Sequence, residues 1–79
     1  MTYNPPFLYR CEYDDGNAIE RCYIYGEAGM EAFYNRCIAE AETLPSARIV
    51  IEYYDRRRKK WRPVVQYRSK GGETDGPYR

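Results

Sequence analysis

The sequence predicts an α+β fold in the order ββαββ: a four-stranded antiparallel sheet with one amphipathic helix packed on one face. Three observations carry it. Apolar residues alternate over 7–13 and 18–25, the spacing turns helical after Gly26, and alternation returns at 47–55 and 61–69.

Residues 7–13, FLYRCEY, place Phe7, Tyr9, Cys11 and Tyr13 on one face and Leu8, Arg10 and Glu12 on the other, the pattern of a strand with one buried side. The stretch DDGN at 14–17 carries an Asp-Gly turn signal, and AIERCYIY at 18–25 follows as the return strand. Pairing Tyr13 with Ala18 sets Tyr9 against Cys22 and Phe7 against Ile24, one apolar face on both strands.

Met30, Phe33, Tyr34, Cys37, Ile38, Ala41 and Leu44 recur at helical spacing, so the expected helix covers 27–44 and stops at Pro45. Such a helix is roughly 27 Å long, one sheet length. The third strand then runs parallel to the second, and an all-antiparallel sheet takes order 2-1-3-4 or 1-2-4-3, of which the first is favoured.

The second hairpin joins ARIVIEYYD at 47–55 to WRPVVQYRS at 61–69. An even loop would oppose Ile49 to Gln66 and mix polar groups into both faces. A five-residue loop over 56–60 opposes Tyr53 to Pro63, Ile51 to Val65 and Ile49 to Tyr67, and the pattern selects it. Arg48, Val50, Glu52, Tyr54, Arg62, Val64, Gln66 and Arg68 then share the face away from the helix. Pro63 cannot donate to a ladder and marks an edge strand or an outward position. The domain is expected to span 1–69, with the Gly-rich polar stretch 70–79 as a flexible tail.

Composition narrows the function. Seventy-nine residues make one small domain, apolar residues are 43% and charged residues 32%, a globular balance. No stretch approaches the ~20 apolar residues of a membrane span, and no signal-peptide core is present. The three cysteines, Cys11, Cys22 and Cys37, have no CxxC spacing and no histidine beside them, so they read as reduced, buried thiols of a cytoplasmic protein with no metal and no cofactor. Without histidine, Ser-His and Cys-His nucleophiles are excluded. The pairs Asp14/Asp15 and Glu40/Glu42 belong to a turn and a solvated helix face, and no glycine pattern cradles phosphate. The chain is not expected to be an enzyme.

Charge is segregated. Residues 1–47 hold three Arg against eight acids, −5, and residues 48–79 ten Lys or Arg against four acids, +6. Arg56, Arg57, Arg58, Lys59 and Lys60 project from the predicted hairpin tip, and Arg48, Tyr54, Arg62 and Arg68 continue that surface down the open sheet face. Phosphates attract such a tip, although polar tips also arise simply because turns are solvated and cations discourage edge pairing. The open face adds Leu8, Ile19, Tyr23, Tyr25, Val50 and Val64, a Tyr-and-Arg composition suited to a protein interface. On the helix, Glu27, Glu31 and Glu42 line one flank. Glu40 and Glu42 oppose the helix dipole, which marks either a functional position or, the favoured reading, Arg36 or Arg48 nearby.

A chain under eighty residues with segregated charge, a tyrosine-rich sheet and no catalytic set resembles, in size and architecture, the small phage and mobile-element anti-CRISPR proteins. That resemblance implies a plug that inhibits by stoichiometric binding in the host cytoplasm, covering a nucleic-acid-binding surface or subunit contact of a larger protein or ribonucleoprotein complex. The acidic flank Glu27, Glu31 and Glu42 would meet a basic channel, and the cationic hairpin an acidic patch or guide RNA backbone. Direct nucleic-acid binding through 56–60 and Arg62 is the alternative, and homodimerisation through the tyrosine surface a third reading.

Overall fold

The computed structural model describes residues 8–69; Phe7 and the predicted tail at 70–79 lie outside the described residues. The elements are β1 (Leu8–Asp14), β2 (Ile19–Tyr25), α1 (Glu27–Ala41), β3 (Arg48–Asp55) and β4 (Lys60–Arg68). The four strands form one antiparallel sheet in the order β2-β1-β3-β4, with one helix. This is the favoured order, and it leaves β2 and β4 at the edges.

Alternation in β1 and β3 buries Tyr9, Cys11 and Tyr13 beside Ile49 and Ile51, and α1 covers them with Met30, Phe33, Cys37 and Ala41. Ile49 and Ile51 are fully buried, each contributing about 1.5–3 kcal/mol by area removed from water. Helix and strands match in length: fifteen residues of α1 and seven of β1 both span roughly 23 Å. Gly26 enters α1 at φ 92°, a conformation that favours glycine, and offers the helix no side-chain cap.

Three boundaries differ from expectation. The first hairpin pairs Tyr13 with Glu20, Cys11 with Cys22 and Tyr9 with Ile24, two residues from the expected register. Its four-residue loop is 15–18 because Asp15 Oδ1 accepts the N–H groups of Asn17 (2.8 Å) and Ala18 (2.9 Å), while Gly16 takes φ 97°. An even shift preserves the faces, so the same side of β1 stays buried. The helix stops at Ala41, three residues early. There Thr43 and Leu44 donate back to the Glu40 and Ala41 carbonyls in a tight closing turn, and the Thr43 hydroxyl also donates to the Glu40 carbonyl at 2.8 Å.

The third difference decides the site. Ile49 pairs with Tyr67 and Ile51 with Val65 as expected, but the register shifts by one between Ile51 and Glu52, so Glu52 meets Pro63, Tyr53 meets Arg62 and Tyr54 meets Trp61. The loop therefore has four residues, 56–59, not five. Val64 is the extra residue of a β-bulge on edge strand β4, and beyond it every side chain changes face. Trp61 moves to the open face, and Arg62 moves off it to the side of Tyr53.

Candidate functional site: the helix-free sheet face and its cationic tip

Starting from the tip, Asp55 Oδ1 accepts the backbone N–H groups of Arg57 (3.0 Å) and Arg58 (3.2 Å), and its Oδ2 receives the Arg58 guanidinium at 3.1 Å. These contacts, the Arg58 N–H foremost, hold the Asp55 carboxyl below its usual range. Lys59 closes the turn at φ 56°. All five cations, Arg56 to Lys60, are exposed, and Arg58 alone among them has an ion-pair partner among the described residues. The turn is thus fixed from beneath by one carboxylate while four charges stay in water.

Next along β4, Trp61 leans across the sheet. The Arg10 guanidinium lies 4.3 Å from its ring centre, Tyr54 meets it edge-on at 5.2 Å and Tyr23, from the opposite edge strand, lies 6.1 Å away. Arg10 in turn donates through Nε to Glu52 Oε1 at 2.9 Å. Every strand contributes to this cluster: Tyr23 from β2, Arg10 from β1, Tyr54 and Glu52 from β3, and Trp61 from β4. Tyr23 remains 62% exposed and Tyr25, at the end of β2, 68%.

Beyond the cluster the face hollows into an open groove of about 520 Å³ lined by Arg10, Glu12, Arg21, Tyr23, Arg48 and Val50. Glu12 is shared by Arg48 at 3.4 Å and Arg21 at 3.7 Å, distances longer than a charge-assisted hydrogen bond of about 2.7–2.9 Å. Both guanidinium groups therefore keep donors to spare.

The expected site residues divide. Tyr23, Tyr25, Tyr54 and Arg48 are on the helix-free face, the cationic tip is displayed at its end, and Arg68 pairs across from Arg48 at the far end. Arg62 is not part of the face. Glu27, Glu31 and Glu42 are exposed on the helix layer, on the other side of the sheet. Arg36 pairs with Glu20 and Arg48 with Glu12, and among the described residues neither forms an ion pair with Glu40 or Glu42. Trp61, Arg10, Arg21 and Glu52 were not among the expected site residues. The adjacent Val64-Val65 after Pro63 was the available signal, since two apolar neighbours beside an edge proline break the alternation where a bulge belongs.

The charge segregation of the sequence becomes a segregation of surfaces. The helix exposes Glu27, Glu31 and Glu40, with Glu42 at its end and Glu20 of β2 paired to Arg36, whereas the tip carries five cations over Asp55. Cys11 and Cys37 are fully buried and Cys22 half-buried, burial pushes the Cys11 thiol up to about 12, and among the described residues no cluster of His, Cys, Asp or Glu could hold a metal. No described helix is long and apolar enough to cross a membrane. No protein-family model matches the chain, and neither a curated protein nor a solved structure matches it.

Proposed function

We propose that this chain is a non-catalytic binding protein that acts by occupying a surface of a larger protein or ribonucleoprotein complex, with the helix-free sheet face and its cationic tip as the contact. The observation that carries the reading is the Tyr54–Trp61–Tyr23 cluster around Arg10. Trp, Tyr and Arg are the side chains that dominate interface energetics, and here they are held in place before any partner arrives. An anti-defence inhibitor of the anti-CRISPR kind, blocking a host effector stoichiometrically, is the activity that the resemblance in size and architecture supplies.

The test is capture of a candidate effector complex by the wild-type chain and by surface variants, with complex mass read by light scattering. A stoichiometric complex lost in Tyr23→Ala and in Arg56→Ala/Arg57→Ala, yet kept in Glu27→Ala/Glu31→Ala, supports the reading. Loss confined to the helix variant reverses the docking face, and a dimer of the chain alone that buries Tyr23 replaces the reading with self-association.

A further inference from the structure

We infer that the tip and the adjoining face bind single-stranded nucleic acid, the tip holding phosphates and Tyr23 stacking a base. The inference rests on the reading above, that this face is the one a partner meets, and names what the partner presents there. Arg56, Arg57, Lys59 and Lys60 are exposed and have no carboxylate partner among the described residues. Asp55, the nearest acid in sequence, is already engaged by Arg58 and two backbone N–H groups. Glu27, Glu31, Glu40 and Glu42 belong to the helix layer and Glu20 to β2, where it pairs with Arg36 of the helix, so among the described residues no acid other than Asp55 pairs with the tip.

The strand registers set the order of groups along the face. Tip cations come first, then Trp61 with Tyr54, then Tyr23 with Arg10, then the groove where Arg21 and Arg48 share Glu12. From Tyr54 to Val50 this track covers five residues of β3, roughly 17 Å of extended chain, and with the tip it suits a site of about 4 nucleotides or more. Cations alternating with rings match a chain whose phosphates alternate with bases. A segment of acidic side chains alone would use the cations and offer Tyr23 nothing to stack on. A duplex would offer phosphates and hide its bases. The fixed turn at Asp55 also lowers the ordering cost of bringing four flexible cations to one strand.

Fluorescence anisotropy with labelled RNA and DNA single strands of about 12 nucleotides, and with the corresponding duplex, tests the inference. Four phosphate contacts predict binding that weakens about 50-fold between roughly 50 and 200 mM salt. Arg56→Ala/Arg57→Ala should lower the slope of log affinity against log salt by about 1.4. Tyr23→Ala should weaken single-strand binding about tenfold with the slope unchanged, and Tyr23→Phe should restore it. The duplex should not respond to Tyr23→Ala, and comparison of the RNA and DNA arms identifies the preferred strand. No single-strand binding at about 50 mM salt, no effect of Tyr23→Ala, or equal displacement by polyglutamate of matched charge overturns the inference. If oligonucleotides fail while Tyr23→Ala still abolishes a nuclease-resistant protein complex, the nucleic-acid assignment falls and the binding-face reading stands.

Discussion

The Arg10 guanidinium is held on two sides, with the Trp61 ring centre 4.3 Å away and Glu52 Oε1 2.9 Å from its Nε. Neither partner is near Arg10 in sequence: Glu52 reaches it from β3, and Trp61 from the far edge strand. The two contacts tie the β3–β4 hairpin to β1 on the side of the sheet that the helix leaves open.

That pairing predicts measurable coupling. In a double-mutant cycle of Arg10→Ala and Trp61→Leu, urea unfolding should give an interaction energy of about 0.5–1 kcal/mol. Trp61 is the single tryptophan, so Arg10→Ala should also shift its fluorescence. Additive effects with an unchanged spectrum would place the indole elsewhere.

Gly29 is held small by its neighbour. A Cβ at this helical position would come within 2.8 Å of Ile24 Cγ2 on β2. Gly29→Ala should therefore destabilise the fold by about 1–3 kcal/mol from overpacking, against the ~0.5–1 kcal/mol that alanine ordinarily adds to a helix. Adding Ile24→Ala removes the clash, so the double mutant should lose less than the sum of the single losses. A stabilised Gly29→Ala would show that helix and β2 separate at this point.

Ile51 is fully buried where β3 faces both β1 and the helix. Ile51→Ala should cost about 2–5 kcal/mol and Ile51→Val about 0.5–1.5 kcal/mol, the former comparable to the whole stability of a domain this small. Thermal unfolding by circular dichroism ranks the pair, and equal melting points would contradict the core described above.

The alkaline limb of stability follows from two buried acids. Burial, reinforced by Cys22, pushes Cys11 from 9.0 to about 12, and burial with the Glu40 carboxylate pushes Tyr13 from 10.0 to about 12. The Tyr13 hydroxyl makes no hydrogen bond that would hold a phenolate. The fold keeps protons that the unfolded chain releases, so their contribution is complete below about pH 9 and is lost as pH rises toward 12. Urea midpoints between about pH 8 and pH 11 should fall steadily. On the acid side, backbone N–H donors hold Asp15 and Asp55 below the ordinary 3.8, so their contribution is present above that value and fades beneath it. Midpoints that rise with pH through the alkaline range would contradict the burial of Cys11 and Tyr13.

Much of this fold was legible because burial writes a period into the chain. Tyr9, Cys11 and Tyr13 read as one face, Ile49 and Ile51 as another, and both are buried. Pairing was less legible. Asp14 and Asp15 are both turn formers, Asp14 accepting the Gly16 N–H and Asp15 those of Asn17 and Ala18, and their order in sequence alone does not say where the loop begins. A two-residue period assumes an unbroken ladder, so it placed Ile49, Ile51, Val65 and Tyr67 correctly and failed past the bulge at Val64. One inserted residue exchanged Arg62 for Trp61 on the open face. The cationic tip was visible as composition. The aromatic cluster beside it was not, since it depends on which face a single tryptophan takes.

The most direct measurement of the central claim, that the helix-free face with its tip takes up single-stranded nucleic acid, is amide and indole chemical-shift mapping by NMR during titration with a single-stranded oligonucleotide. Shifts concentrated at Tyr23, Tyr54, residues 56–60 and the Trp61 indole are the predicted result. Shifts confined to Glu27–Ala41, or none at saturating probe, would contradict it.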